Sequence, residues 1–296
     1  MEPDAISEES RRQRLIRNAL GLLPLALGIT GGTRDALLRF GDLITGPAPP
    51  LTRVVTAEGH TLLLRGDEGQ ERLLGYALNN VQRYYRRSPL ARLLTELRAP
   101  DALFVDVGAN LGMYCLLARD LGYQTLAIEP EPRHVDFLQR HEALLGPTIP
   151  VAVSDAPGVA TLYVSNQENT GASSLNGSAT SRLYDGTIKV PLRRLEDLLD
   201  EHVADPTRLR LIKIDVEGHE AAALRGLTGF LDQGHRPQIF CEVRGPDSGR
   251  APSSYRDAIE ILSPYGYTAS HYDHHGAVPF RGERTPQVFD LLFRPA

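Results

Sequence analysis

The residues 106–112, DVGANLG, carry the strongest chemical signal in the sequence. Gly108 and Gly112 allow the backbone to pass close to a ligand at the carboxyl end of a strand. The amides that begin the next helix offer that ligand a positive pole. Asp106 suits a pyrophosphate poorly, but its carboxylate can accept a hydrogen bond from an ammonium group such as that of a methionine moiety. With Asn110 at its centre, the pattern is G-x-N-x-G, which differs from the dinucleotide pattern G-x-G-x-x-G.

Polar residues also end the next two apolar segments. Glu129 ends TLAIEP, where a carboxylate can accept both hydroxyls of an adenosine ribose, as it does in NAD enzymes. Ser154 and Asp155 end the following segment, where a carboxylate or a backbone amide can bind the adenine edge. The alternatives are that Glu129 only terminates a strand and that the Ser-Asp pair only forms a turn. The three positions indicate an adenosine ligand without identifying which one.

Charged residues crowd the end of a further apolar strand in KIDVEGHE, residues 213–220. Parallel strands are buried on both faces, so charges concentrate at their carboxyl ends, where ligands bind. Asp215 and His219 are therefore candidates for contact with an acceptor or for the general base. The alternatives are that His219 bonds locally at a helix start and that Glu220 only caps that helix.

The sequence assigns no residue as a metal ligand, but one group of acids could bind a divalent cation. Asp215, Glu217 and Glu242 all end neighbouring strands, and their oxygen ligands would favour Mg²⁺ or Ca²⁺ over Zn²⁺. The run HYDHH, residues 271–275, has the composition of a metal site but is expected to be a solvated loop.

The elements that position these residues alternate between apolar strands and helical patterns after Pro100. This order predicts an α/β, Rossmann-like domain over residues 100–296, with a mainly parallel seven-stranded sheet and an antiparallel edge strand. Residues 149–155 are expected to be one strand, and 166–185 an exposed polar loop. Residues 1–99 are expected to be a helical extension or lid with a short hairpin, which includes a helical arm at 6–29.

The composition is ordinary for a soluble protein. The net charge of −5 and the pI of about 6.0 disfavour binding to nucleic acid through phosphate contacts. The two cysteines lie in apolar runs, as expected of reduced, buried thiols in the cytoplasm. No secretory signal is evident, and the apolar stretch at 19–29 is too short to span a bilayer. We expect a cytoplasmic protein with a small-molecule partner, no nucleic acid and no membrane span, and a homodimer through the arm is possible.

The chain resembles the FkbM-type methyltransferases over about residues 104–245, on five segments in the expected order and spacing: FVDVGANLGMY, AIEP, AVSD, IKVPLRRLEDLL and LIKIDVEGHEAAALRG. The resemblance implies a class I methyltransferase fold with S-adenosyl-L-methionine (SAM) as the methyl donor. Because most members of the family methylate hydroxyls of sugars, polyketides or other specialised metabolites, the resemblance also implies an acceptor of this kind. The implied cofactor contacts are Asp106, Gly108, Asn110, Gly112, Glu129, Ser154 and Asp155. Asp215 and Glu217 would lie on the substrate side, and with His219 they form the predicted catalytic set.

Two other classes remain open from the sequence. An NAD-dependent oxidoreductase could use the same turn and acid, and a catalytically silent domain could bind a nucleotide there. The carboxylates crowded at the end of this strand favour an active enzyme over a catalytically silent domain. A nucleic-acid amino methyltransferase is disfavoured, because Asp215-Val216-Glu217-Gly218 stands where an Asn/Asp-Pro-Pro-aromatic motif is expected. The predicted mechanism is direct in-line transfer, assisted by a general base.

Overall fold

The computed structural model describes residues 6–8, 51–55, 59–65, 71, 85–165, 173–176, 184–245, 255–273, 275–282 and 288–296. The chain forms two compact units. The first comprises residues 1–87 and 165–171, and the second comprises residues 88–164 and 172–296. Every candidate site residue lies in the second unit. The expected domain boundary at residues 99 and 100 stays a prediction.

The first unit contains a three-stranded sheet. Strand β1 (Ile6–Glu8) pairs in parallel with β2 (Leu51–Val55), and β2 pairs antiparallel with β3 (Thr61–Arg65). The predicted helical arm is therefore wrong at residues 6–8, because pairing with β2 overrides the helical pattern of the segment. The rest of the arm, and with it the dimer contact expected there, lies outside the described residues.

From residue 88 onwards, strands and helices alternate. The strands, in chain order, are β4 (Leu103–Val107), β5 (Gln124–Ile128), β6 (Thr148–Ile149), β7 (Ala152–Val153), β8 (Gly158–Ser165), β9 (Tyr184–Arg193), β10 (Leu209–Ile214), β11 (Gln238–Arg244), β12 (Tyr267–Asp273), β13 (Gly276–Pro279) and β14 (Val288–Pro295). The helices are α1 (Pro89–Glu96), α2 (Met113–Asp120), α3 (Pro132–Arg140), α4 (Glu142–Leu145), α5 (Leu195–His202), α6 (Glu220–Arg225), α7 (Thr228–Asp232) and α8 (Tyr255–Leu262). None of the helices described is long and apolar enough to cross a membrane.

The main sheet has the strand order β13-β12-β14-β11-β10-β4-β5-β6. The strands from β11 to β6 are parallel, and β14, β12 and β13 add antiparallel pairs at one side. This arrangement confirms the Rossmann-like α/β class. The predicted number of seven strands is wrong, because the chain turns back after β12 and adds β13 as an eighth strand.

Two further local predictions fail. The strand expected at 149–155 divides after Ile149, since Pro150 has no N–H to continue the ladder. Ala152 and Val153 then pair with Leu192 and Arg193 in a third sheet, of order β7-β9-β8. Strand β9 also begins inside the loop expected at 166–185. Of that loop, 173–176 is described as well, and 166–172 and 177–183 lie outside the described residues.

The HYDHH run is not a simple loop. Its first three residues belong to β12, and the ring of His271 lies 5.0 Å from that of Phe280 and 5.5 Å from that of Phe289. The His271 ring packs against these aromatic rings. The loop predicted for this run is wrong over 271–273, which is strand, although His271 and Asp273 are solvent-exposed as expected. His274 lies outside the described residues.

Candidate functional site

The DVGANLG turn connects β4 to α2 in a left-handed backbone conformation. The φ angles are 79° at Gly108, 53° at Asn110 and 68° at Gly112, so the helix begins after the turn. A Cβ on Gly108 would lie 1.9 Å from the backbone oxygen of Asp215, and one on Gly112 would lie 2.6 Å from Leu138. Both glycines are thus required by close packing within the protein. From the sequence, the two glycines were expected to make room for a ligand.

Asp106 and Asp215 are joined by Lys213, which is not among the residues predicted from the sequence. The Nζ atom of Lys213 lies 3.3 Å from Asp106 Oδ1 and 3.2 Å from Asp215 Oδ2. Asp106 is fully buried, and its Oδ2 faces the thiol of Cys115 at 3.7 Å. Lys213 is the register partner of Asp106 across β4 and β10, and Asp215 follows it by two residues. The signal was present, because alternate residues of a strand project from the same face.

The charges of this triad depend on one another. Burial raises the pKa of Asp106, while Lys213 opposes that rise. Burial disfavours the charged form of Lys213 too, but Asp106 and Asp215 together raise its pKa well above the ordinary value. Lys213 therefore stays protonated at neutral pH. Asp106 Oδ1 has the Lys213 ammonium 3.3 Å away as its ion-pair partner but no well-aligned hydrogen bond from the described residues, so the buried carboxylate keeps a lone pair for a further donor.

Glu129 is held by the turn that precedes α2. Its Oε2 accepts a hydrogen bond from the backbone N–H of Asn110 at 2.8 Å, and its Oε1 accepts one from the N–H of Glu131 at 3.0 Å. The Nδ1 atom of His134 lies 3.4 Å from the same Oε1. Burial alone would raise the pKa of Glu129, but His134 and the two amides lower it below its ordinary value. Glu129 is an ionised, oriented acceptor with lone pairs remaining on both oxygens.

Ser154 and His219 contact each other. The Ser154 hydroxyl and His219 Nε2 are hydrogen-bonded at 3.0 Å, and Asp155 forms an ion pair with Arg225 at 3.3 Å. Burial lowers the pKa of the His219 imidazole. The structure thus groups His219 with the predicted adenine residues, whereas the sequence grouped it with Asp215.

Three carboxylates meet beyond the end of β10. One oxygen from each of Asp215, Glu217 and Glu242 lies within 4.8 Å of the others. The Nη2 atom of Arg244 lies 3.1 Å from Glu217 Oε2 and 4.0 Å from Glu242 Oε2. The Arg244 guanidinium therefore supplies positive charge at the place where the sequence allowed a divalent cation.

The crowding of these acids changes their titration. Burial, together with the charge of Asp215, raises the pKa of Glu217 to about 7 and that of Glu242 to about 9. Asp290, the register partner of Glu242 on β14, is raised by burial and by Asp215 to about 6. At neutral pH, Glu242 is a protonated carboxyl that can donate a hydrogen bond, and Glu217 titrates close to neutrality.

A described part of the polar loop, residues 173–176, lies over the turn that carries Glu217. Ser174 Oγ donates to the backbone oxygen of Glu217 at 2.7 Å, and Asn176 Nδ2 donates to that of Gly218 at 2.7 Å. Both acceptors belong to residues with positive φ, 52° at Glu217 and 97° at Gly218. The sequence predicts an exposed polar loop here but does not identify these two side chains.

The chain matches a known family over most of this region. Residues 106–269, more than half of the chain, match the family described as the methyltransferase FkbM domain. "Methyltransferase 1" of Beauveria bassiana (strain ARSEF 2860) is 33% identical over 147 residues, which cover 43% of this chain and 59% of that protein. "Methyltransferase sdnD" of Sordaria araneosa is 32% identical over 159 residues, which cover 43% and 61%. The match thus spans about three fifths of the length of both relatives.

A solved structure resembles the chain only weakly. The magnesium protoporphyrin IX methyltransferase ChlM from Synechocystis PCC 6803, with bound SAM, has 12% sequence identity and a TM-score of 0.38. The alignment covers 73% of this chain and 80% of that one. At this TM-score, nothing about the ligands of the present chain follows from the likeness.

Proposed function

The chain belongs to the FkbM methyltransferase family, and we propose that it transfers the methyl group of SAM to a hydroxyl oxygen of a small-molecule acceptor. The observation that carries the proposal is the buried Asp106 carboxylate, which lies near the carboxyl end of the parallel strand β4 and keeps a lone pair for a further donor beside Lys213. The acceptor class in this proposal is the one that the family resemblance implies: a sugar, a polyketide or another specialised metabolite. The free, buried thiols of Cys115 and Cys241 are compatible with the cytoplasmic location that we also propose.

The proposed donor contacts follow the ends of successive strands. Asp106 would bind the ammonium group of the methionine moiety, for which an ionised acceptor is suited. Glu129 would accept the ribose hydroxyls, since its two backbone donors fix the carboxylate without using all its lone pairs. Ser154 and Asp155 would contact the adenine edge, together with His219, which is bonded to Ser154.

The proposed acceptor contacts surround Asp215. When bound, SAM supplies an electrophilic methyl carbon on a sulfonium, so the protein has mainly to orient the acceptor hydroxyl and remove its proton. Asp215 is our candidate for the general base, because its half-exposed carboxylate is tied to the donor side by Lys213. Glu217 and the protonated Glu242 would hold further hydroxyls of the acceptor. We propose that transfer needs no Mg²⁺, because Arg244 balances the carboxylates.

Calorimetric titration of the purified chain with S-adenosylhomocysteine (SAH) tests the proposal. We expect SAH to bind with a Kd in about the micromolar range, which corresponds to about −8 kcal/mol, and NAD not to bind. EDTA is expected to leave the SAH titration and the turnover of an active acceptor unchanged. Binding of NAD without SAH would support the oxidoreductase. Binding of neither to the folded chain would refute both nucleotide assignments.

A further inference from the structure

Lys213 lies between the two acids to which we assign different partners. Its Nζ atom is within 3.3 Å of both Asp106 and Asp215, and the residue is 6% exposed. We propose that Lys213 is a positioning residue for the donor, which keeps the buried Asp106 carboxylate charged for the donor's ammonium group and ties it to Asp215. This inference rests on the proposed function.

The amino-acid type at position 213 supports a specific role. Of the 32 Lys and Arg residues in the chain, only Lys189 and Lys213 are lysines. The chain therefore uses arginine for nearly every positive charge but retains lysine inside the sheet. A lysine ammonium is a compact charge that fits between two carboxylates on adjacent strands, whereas a guanidinium is planar and larger.

The count of charges explains what Lys213 does. With the donor bound, two carboxylates around one ammonium would carry a single net negative charge, and the Asp106 end of this group is buried. The ammonium group of the donor would neutralise that charge, which makes its binding favourable in surroundings of low dielectric. Without Lys213, two carboxylates would share the place, and burial would favour the neutral form of Asp106.

The groups that face Asp106 are few. Lys213 faces it from β10, Asp215 from the residue just after that strand, and the thiol of Cys115 from α2. Tyr114 of the same helix lies with its ring centroid 5.6 Å from Lys213 Nζ, and Asp290 on β14 interacts electrostatically with Lys213. Among the described residues, Lys213 is the only basic side chain within ion-pair distance of Asp106. Its removal therefore leaves the carboxylate without a compensating cation.

The test compares SAH affinity across pH in the parent chain, Lys213→Met and Lys213→Arg, with the exposed-strand variant Lys189→Met as the matched control. From about pH 6 to about pH 8 the parent and the control should bind equally well and with little change in affinity, since the Lys213 ammonium favours the ionised form of Asp106 over this range. Lys213→Met should bind about 30-fold more weakly at the lower pH and recover part of the affinity as the pH rises. Lys213→Arg should bind more weakly than the parent but keep a flat profile, because it retains the charge.

A double variant separates positioning from a purely structural role. If Lys213 acts through Asp106, Lys213→Met should cost little further affinity in an Asp106→Asn background. A flat pH profile in Lys213→Met, a sloping one in Lys213→Arg, or fully additive losses in the double variant would overturn the proposal. If Lys213→Met does not fold, as judged by circular dichroism, the pH profile of SAH affinity in Lys213→Arg is the test: a flat profile supports the proposal, and a sloping one overturns it.

The parent titration distinguishes the two levels of inference. A parent chain that binds no SAH refutes the proposed function, and the role of Lys213 falls with it. A parent chain that binds SAH while Lys213→Met binds equally well at every pH refutes only the role of Lys213.

Discussion

The donor side of the site, Asp106 and Glu129, uses its carboxylates differently from the acceptor side, Asp215, Glu217 and Glu242. The donor-side carboxylates are 1% and 7% exposed, and each has a fixed neighbour, Lys213 for Asp106 and two backbone amides for Glu129. The acceptor-side carboxylates are 20% to 35% exposed; Glu217 and Glu242 share one guanidinium, and Asp215 shares Lys213 with Asp106. The donor side is preorganised for one ligand, whereas the charge on the acceptor side changes with pH and with what binds there.

The physical reason for the difference is the number of cations and amides near each acid. Glu129 has enough donors to lower its pKa despite burial. Glu217 and Glu242 face one another and Asp215, so repulsion adds to burial and raises their pKa values. A site of this kind can accept hydroxyl donors at its charged carboxylates and donate from its protonated one.

The largest expected effect is on donor binding. Asp106→Asn keeps the shape of the side chain but removes the charge, so we expect SAH to bind about 100-fold more weakly, a loss of about 2.7 kcal/mol. Calorimetry measures the loss, and Asp120→Asn, at the exposed end of α2, is the matched control. Unchanged affinity in Asp106→Asn would show that the donor does not use this carboxylate.

The next expected effect separates the two sides. Asp215→Asn removes the second negative charge beside Lys213 but not the carboxylate that contacts the donor, so it should weaken SAH binding less than Asp106→Asn does; it should lower kcat by about 100-fold, since a general base contributes at least that much. His219→Asn, near Ser154, should lower kcat by less than about tenfold. If the two variants exchange these results, His219 is the base and Asp215 only a neighbour.

A smaller effect concerns stability. The pKa of Glu242 is about 9 in the folded chain, above its ordinary value, so the folded state binds more protons than the unfolded state across neutral pH. The free energy of unfolding should therefore fall as the pH rises from about 5 to about 9. Glu242→Gln removes this penalty and should raise Tm by about 2–4 °C at pH 8.5 but by less than about 1 °C at pH 5.5.

Thermal unfolding followed by circular dichroism checks this prediction. Glu260→Gln, on the exposed side of α8, is the control and should shift Tm equally at both pH values. A Tm that is lower in Glu242→Gln than in the parent at pH 8.5 would show that Glu242 is ionised and paired.

Features with local causes were predicted from the sequence. The glycine-rich turn, the acids at 106, 129 and 215, and the alternation of strands with helices depend on turn chemistry and on short-range periodicity. These features also placed the candidate residues at strand ends. The break at Pro150 was missed, although its cause is local too.

Contacts between distant segments were decided only by the tertiary structure. Three contacts were not evident from the sequence. Lys213 lies beside Asp106, and Ser154 is hydrogen-bonded to His219. Glu242 on β11 pairs directly with Asp290 on the adjacent strand β14. Each contact depends on strand order and register, and a register shift of one residue would turn the side chain to the other face. The sequence alone determined which residue types occupy the strand ends, and the register determined which charges meet there.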